Sequence, residues 1–444
     1  MFFKQFYDNH LSQASYLIGC QRTGEAMIID PIRDLTNYME VAENEGFTIT
    51  QAAETHIHAD FASGIRDVAE KLDAKIYVSG ESNDELSYKN MPKQTYFVKN
   101  YDVIYTGNIK LEVLHTPGHT PESISFLLTD EGGVASVPMG LFSGDFIFVG
   151  DIGRPDLLEK SVQMKGSTEI GAKQMYQSIK NAKDLPDYIQ IWPGHGAGSP
   201  CGKTLGAVPM STLGYEKINN WAFNVTDEAT FIETLTSNQP VPPHHFAKMK
   251  KINQFGMNSY QPYNVYPSLD NERFAFDIRS KEAFHGGHTK GTINIPYNKN
   301  FINQIGWYLD FDEDIDLIGD KSTVEQAKHT LQLIGFENVS GYRLPKSEVQ
   351  TQSIYSAEMT GEEEYVLDVR NHEEWDNGHL EQAVNIPHGK LLNEEIPFDK
   401  NDKIYVHCQS GVRSSIATGI LEYKGFTNVV NVREGYQDLP SSLK

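Results

Sequence analysis

Phe276-Asp277-Ile278-Arg279 returns 91 positions later as Leu367-Asp368-Val369-Arg370. Gly287-His288 followed by Ile293-Asn294-Ile295-Pro296 returns at the same offset as Gly378-His379 followed by Val384-Asn385-Ile386-Pro387. Further on, Ile334-Gly335-Phe336-Glu337-Asn338-Val339 matches Lys424-Gly425-Phe426-Thr427-Asn428-Val429 at an offset of 90. Stretches so alike should fold alike, and at about ninety residues each is long enough to bury its own core. Within each, short apolar runs alternate with helical spacing, the pattern of a parallel α/β sheet. The whole chain has 444 residues, room for three domains at roughly 150 each.

About 240 residues of different texture precede the repeats. They end at Asn238-Gln239-Pro240-Val241-Pro242-Pro243-His244-His245, a proline cluster that reads as a linker or a strap, with its two histidines on the surface. Within them, residues 48–55 read as a strand, 62–72 have helical spacing, and 75–78 read as another short strand. The turn after the first strand is Thr55-His56-Ile57-His58-Ala59-Asp60-Phe61. Two histidines and an aspartate alternating there can aim nitrogen and oxygen donors into one cavity. Three further segments follow: Thr116-Pro117-Gly118-His119-Thr120, Phe142-Ser143-Gly144-Asp145 and Trp192-Pro193-Gly194-His195-Gly196. In each, glycine lets the backbone turn tightly beside a His or Asp that follows an apolar strand. Together they predict a metal site.

Charge narrows the partners. Lys and Arg number 38 against 60 acidic residues, a net charge of −22. Phosphate backbones and anionic membrane surfaces are bound by concentrated basic residues, so neither nucleic acid nor membrane is expected. No run approaches the ~18 apolar residues of a membrane span. The N-terminus lacks a basic region followed by an apolar one, and three cysteines, Cys20, Cys201 and Cys408, cannot make a disulfide framework. A cytoplasmic protein is expected. Cys20 sits in an apolar strand pattern and reads as core filler. Cys201 follows His195 on a glycine-rich loop, with Lys203 nearby to favour a thiolate, and reads as a reactive group reaching the cavity.

Taken in order, His-x-His-x-Asp, a Pro-Gly-His turn, Gly-Asp and a final Gly-His resemble the metallo-β-lactamase superfamily over roughly residues 1–230. The resemblance implies an αββα sandwich with the metal between two sheets. The superfamily's usual two-metal site also needs a histidine directly after the aspartate, where this sequence has Phe61, so the second position is short of a donor. That leaves His56, His119 and Asp145 around one metal, two imidazoles and a carboxylate with open positions, an arrangement suited to Fe(II) and O2. Persulfide dioxygenases of the superfamily use these positions. The segment Gly150-Asp151-Ile152-Gly153-Arg154-Pro155-Asp156 resembles theirs, which places Arg154 by the site. By the same resemblance His58, Asp60 and His195 orient ligands or line the site. One Fe(II) per chain is implied, with zinc as the alternative.

The second reactive candidate is Cys408, in Ile404-Tyr405-Val406-His407-Cys408-Gln409-Ser410-Gly411-Val412-Arg413. A strand delivers the cysteine into a tight loop, Gln409, Ser410, Gly411 and Val412, that opens a helix. Loop amides and the helix start converge on the sulfur, and Arg413 adds positive charge beside it. With Asp368-Val369-Arg370, Glu373, Gly378-His379 and Asn385-Ile386-Pro387, this resembles rhodanese over about 355–444. Cysteine phosphatases place five residues between Cys and Arg. Four stand here, a smaller ring that suits a terminal sulfur, so Cys408 is expected to carry a persulfide. The first repeat has Gly319-Asp320-Lys321 where the cysteine loop would lie and no cysteine near it, so residues 255–345 read as an inactive rhodanese-like domain.

The expected layout is therefore α/β throughout, with a dioxygenase-like sandwich over 1–240 and rhodanese domains over 255–345 and 355–444. The sum resembles persulfide dioxygenase–rhodanese fusions of bacterial sulfide detoxification. It implies a homo-oligomeric enzyme that takes low-molecular-weight thiol persulfides and O2 to sulfite, and sulfite to thiosulfate through Cys408. A zinc thioester hydrolase with an appended rhodanese, or a non-enzymatic sulfur carrier, are the alternatives.

Overall fold

Tyr16 and Ile18 face one side of their strand and Leu17 the other, and Met27 and Ile29 likewise oppose Ile28. Successive strand side chains point to opposite faces, so a strand apolar at every position must be covered on both. That requirement is met by two stacked sheets with helices outside. The structure is a computed structural model and describes residues 1–81, 86–133 and 136–444. It divides into two compact units, Met1–Gln261 with Gln332–Gly335, and Pro262–Leu331 with Phe336–Lys444.

In the first unit one sheet runs β1 (Phe2–Asp8), β2 (Gln13–Gly19), β3 (Glu25–Ile29), β4 (Thr48–Ala53), β5 (Lys75–Ser79) and β6 (Thr95–Val98), in that spatial order. The other contains β7 (Val103–Thr106), β8 (Ile109–His115), β9 (Ile124–Asp130), β10 (Gly140–Gly144), β11 (Gln190–Pro193) and β12 (Ser211–Thr212), ordered β12 to β7. Between the sheets lie Tyr16, Ile18 and Met27 against Leu111, Phe126, Phe142 and Trp192. Outside the first sheet, Leu17 and Ile28 meet Val68 and Ala69 of the helix Ile65–Leu72. Outside the second, Leu141 and Ile191 meet Ala172, Met175 and Ile179 of the helix Ser167–Ala182. This is the αββα sandwich expected from the sequence. His56, His119, Asp145 and His195 each follow the C-terminal end of a strand, β4, β8, β10 and β11, so one edge of the sandwich gathers them.

The proline cluster leads into structure rather than a plain linker. A helix, His245–Phe255, starts directly after it, with His245, Phe246, Met249, Lys250 and Asn253 buried. The surface placement expected for both histidines holds for His244 alone.

The second unit holds two all-parallel sheets. One is β13 (Ala275–Asp277), β14 (Ile293–Asn294), β15 (Ile315–Ile318) and β16 (Val339–Arg343), ordered β14-β13-β15-β16. The other is β17 (Gln352–Ile354), β18 (Tyr365–Asp368), β19 (Ala383–Asn385), β20 (Ile404–His407) and β21 (Val429–Val432), ordered β17-β21-β20-β18-β19. Apart from β17 the two orders correspond strand for strand. The repeated residues make the same bonds in both. Arg279 donates to Asp277 (2.6 Å) and the Gly287 carbonyl (3.0 Å), as Arg370 does to Asp368 (2.6 Å) and the Gly378 carbonyl (2.8 Å). Asn294 donates to the Asp277 and Arg279 carbonyls, as Asn385 does to those of Asp368 and Arg370. The sequence repeat is thus a buried hydrogen-bond network kept twice. No helix among the described residues is long and apolar enough to cross a membrane.

Candidate metal centre and sulfur-transfer loop

Asp30, just past β3, fixes the turn after β4. Its carboxylate accepts from the Thr55 amide (2.7 Å) and Thr55 Oγ1 (2.9 Å), and lies 3.3 Å from His58 Nε2. Gly144, at φ 51°, lets β10 pass so close that a Cβ there would lie 2.5 Å from Thr55 Oγ1. Asp145 follows directly. His119 donates through Nδ1 to the Arg154 carbonyl (2.9 Å), which leaves Nε2 turned inward.

His56, His119 and Asp145 thus present ligand atoms within 4.8 Å of one another. His56 Nε2, His119 Nε2 and Asp145 Oδ2 are all buried and without hydrogen-bond partners. Such atoms are costly to bury unless something binds them. Burial and the neighbouring His58 charge hold the His56 pKa well below its usual value, and burial likewise lowers that of His119, so both rings are neutral and able to ligate. Burial opposes charge on Asp145, but His195, His119 and His56 outweigh it and keep the carboxylate ionised. The donors fit a divalent metal.

His195 lies between two carboxylates, Nδ1 at 2.7 Å from Asp145 Oδ1 and Nε2 at 2.7 Å from Asp60 Oδ2. Burial disfavours its charge, yet Asp145 and Asp60 together raise its pKa well above the usual value. Cys201 joins it: its sulfur, a ring nitrogen of His195 and a carboxylate oxygen of Asp60 also lie within 4.8 Å. Phe61, where the second-metal histidine would stand, is a fully buried ring tilted against His58, with centroids 4.4 Å apart. Burial and the charges of Asp60 and Asp145 raise the Cys201 pKa well above normal, so it is a thiol rather than the thiolate expected from Lys203. Lys203 instead donates to the Thr234 carbonyl (3.0 Å).

Arg154 meets the site through its backbone. Its guanidinium is buried, bound to Asp156 by two 2.6 Å bonds and to the Pro200 carbonyl. Sequence reasoning missed the helix His245–Phe255. Lys250 donates to the Ile57 carbonyl, and Asn253 donates to the carbonyls of His58 (2.8 Å) and Phe61 (2.7 Å) while accepting from the Ser63 amide (2.8 Å). His245 Nε2 lies 3.3 Å from the Asp60 carbonyl. Phe246, Met249, Lys250 and Asn253 at helical spacing were the available signal. Cys20 is in the core between the sheets, as expected.

In the second unit β20 delivers Cys408 to its loop. Gly411, at φ 82°, donates its amide to Cys408 Sγ (3.1 Å), and a Cβ there would strike the Arg433 carbonyl. The helix Val412–Tyr423 then begins. Arg413 grips Glu374 with two bonds of 2.5 and 2.7 Å and also interacts with the Cys408 sulfur. At the matching place in the first repeat Asp320 caps the helix Lys321–Leu333, accepting from the Thr323 amide (3.0 Å) and hydroxyl (2.7 Å).

Residues 9–195 match the Metallo-beta-lactamase superfamily, and residues 351–440 match a Rhodanese-like domain. A crystal structure of a metallo-beta-lactamase from Staphylococcus aureus subsp. aureus COL is 73% identical, covers 78% of this chain and 99% of its own, and has a TM-score of 0.75. A hydroxyacylglutathione hydrolase from Rhodopseudomonas palustris (strain BisB5) is 26% identical over 180 residues, 40% of this chain. That match spans 61% of the hydrolase, less than two thirds of it. The crystal structure of ETHE1 from Myxococcus xanthus is 25% identical, covers 57% of this chain and 96% of its own, and has a TM-score of 0.45.

Proposed function

Because this chain belongs to the metallo-beta-lactamase superfamily and carries a rhodanese-like domain over residues 351–440, we propose that it oxidises thiol persulfides and then transfers sulfur to the product. The observation that carries this reading is the trio of unpartnered atoms, His56 Nε2, His119 Nε2 and Asp145 Oδ2. Two imidazoles and one carboxylate form the ligand set of non-haem Fe(II) oxygenases. His195 has both ring nitrogens on carboxylates, Nδ1 on Asp145 and Nε2 on Asp60. An Fe(II) held by the trio would supply the redox chemistry that joins O2 to sulfur.

The chain's own residues do the rest. Thr55 and the Arg154 carbonyl orient the two ligand rings. Asp60 and Asp145 keep His195 protonated, a proton store beside the substrate. Phe61, Phe148 and Leu157 keep the surroundings apolar and exclude water. The balanced reaction takes a persulfide RSSH with O2 and water to RSH, sulfite and two protons. In the second unit, the Cys408 thiolate takes the outer sulfur of another RSSH, the S–S bond breaks, and RS⁻ leaves with the electron pair. Sulfite then attacks that sulfur to give thiosulfate and regenerates the Cys408 thiolate. In this reading the first repeat is an inactive rhodanese-like domain.

The hydroxyacylglutathione hydrolase relatives favour a second reading, zinc-dependent thioester hydrolysis. Metal analysis of the purified full chain, with oxygen uptake on a small thiol persulfide and hydrolysis of a thioester, decides between them. Iron with stoichiometric O2 consumption is expected. Zinc with thioester hydrolysis and no O2 consumption would replace the first reading by the second.

A further inference from the structure

A cavity of about 610 Å³ in the second unit has no place in the reactions above. Ser410, two residues past Cys408, lies in its wall. So do Lys281, from the first repeat, and Arg433, which follows β21. Among the described residues neither cation has a carboxylate within 4.0 Å, although Lys281 stands next to Glu282 in the same wall and feels its charge. Arg433 donates Nε to Ser353 Oγ (2.9 Å) and lies over the Tyr355 ring, so its terminal nitrogens are left for a ligand. The Cys408 loop's own arginine, Arg413, is already neutralised by Glu374. An anionic sulfur donor must find its positive charge elsewhere, and these two side chains are where the cavity offers it.

Two buried groups also lack partners there. Asn431, 1% exposed, and Thr351, 8% exposed, line the cavity with Asn431 Oδ1 and Thr351 Oγ1 unpaired. Glu434 and Asp438 add carboxylates to the same wall. Both signs of charge, with buried amide and hydroxyl groups between them, suit a zwitterion rather than a simple anion. The volume is that of a site for a small organic molecule. Sulfite would leave most of it to water.

The first repeat is held here by direct bonds. His285 Nε2 lies 2.8 Å from Ser415 Oγ, on the helix that opens at the Cys408 loop. Burial, then Lys281 and Arg433, push the His285 pKa down to about 4, so near neutrality it adds hydrogen bonding without charge.

We propose that this cavity binds the carrier of the sulfur donor for Cys408, an amino-acid-derived persulfide whose carboxylate is held by Lys281 and Arg433 and whose N–H groups face Asn431 and the carboxylates. The proposal rests on the sulfurtransferase reading of Cys408. It gives the repeat without a nucleophile a role, since Lys281 then selects the donor. The sulfur end lies toward Ser410, where Cys408 attacks the outer sulfur and the amino-acid thiolate departs as written above.

The test is sulfur transfer to sulfite by the full chain without O2, comparing three donors. Cysteine persulfide carries both charges, 3-mercaptopropionate persulfide only the carboxylate, and cysteamine persulfide only the ammonium. Cysteine persulfide should lead both others by about tenfold in kcat/KM, the worth of one well-placed charge contact. Lys281→Met should raise KM for cysteine persulfide by a similar factor while kcat changes less than about twofold. It should also erase the preference over cysteamine persulfide, and Lys281→Arg should restore it. Equal use of the three donors, or an unchanged KM in Lys281→Met and Arg433→Gln, overturns the proposal and leaves the Cys408 reading standing. Transfer that persists in Cys408→Ser overturns both.

Discussion

Asp145 joins the two halves of the metal centre. One oxygen is taken by His195, and the other, unpartnered, lies 3.5 Å from His119 Nε2 and 3.9 Å from His56 Nε2. Asp145→Ala removes one of the three candidate ligands and leaves His195 with a single carboxylate. Loss of an inner ligand is expected to weaken metal binding by at least the 10–100-fold typical of an outer partner. Elemental analysis after dialysis should find little iron, and oxygen uptake should fall in proportion. A variant that kept full iron would remove Asp145 from the ligand set. These residues were legible in the sequence because each stands in a short turn at a strand end, His56 in an alternating His-x-His-x-Asp and His119 and Asp145 beside a glycine, where local pattern determines position. Lys250 was not, because it reaches Ile57 from 193 residues along the chain. Cys201 was read as reaching the cavity, and its sulfur lies beside Asp60 and His195, but burial and the nearby carboxylates make it a thiol, which no local pattern announces.

The helix His245–Phe255 shows the same limit for a whole element. Its proline-rich approach reads as a linker, and only tertiary packing turns it into the support of the ligand turn. Asn253 makes three buried bonds to that turn, to Ser63, His58 and Phe61. Asn253→Ala leaves one amide and two carbonyls unpaired, at roughly 1–3 kcal/mol for each group that water does not reach. Thermal melting should fall by several degrees, and a chelator should strip metal faster than from the native protein. Unchanged melting and metal retention would make the helix a bystander. The repeats, by contrast, were legible as elements because Asp-x-Arg, Gly-His and Asn are the residues that bond one another in both sheets.

A pH effect belongs to the packing of the repeats within the second unit. Tyr308 Oη lies 2.8 Å from His388 Nδ1 and 3.2 Å from the His388 carbonyl, and Trp307 lies against the same ring. Burial, reinforced by Arg413, pushes the His388 pKa down to about 3. Unfolded, the group titrates near its usual value of about 6.5, so the unfolded chain takes up a proton that the folded one refuses. The neutral ring's contribution is complete above that pH and is lost as pH falls towards 3. Between pH 6.5 and 5 the loss is about 2 kcal/mol. The unfolding free energy from denaturant titrations should drop between the two pH values by that much more in the wild type than in His388→Gln. Parallel stability curves would show that His388 titrates normally.

At the scale of the molecule, each unit carries its own candidate centre, the trio in the first and Cys408 in the second. Both were legible in the sequence, since each is built from short local motifs, and in the proposed reaction the link between them is chemical, a diffusible product. If sulfite formed in the first unit is the acceptor in the second, the two activities must be separable by one substitution. Cys408→Ser keeps the size of the side chain and the Gly411 donor, so the loop should stay folded. Serine cannot form the S–S bond that carries the sulfur. Oxygen uptake should therefore remain near the wild-type rate, while sulfite accumulates in place of thiosulfate. A parallel reaction with added sulfite and persulfide but no protein sets the spontaneous rate to subtract. Thiosulfate formed by Cys408→Ser at the wild-type rate above that background would take sulfur transfer away from Cys408. Loss of oxygen uptake together with thiosulfate would instead show that the second unit is needed for the chemistry of the first.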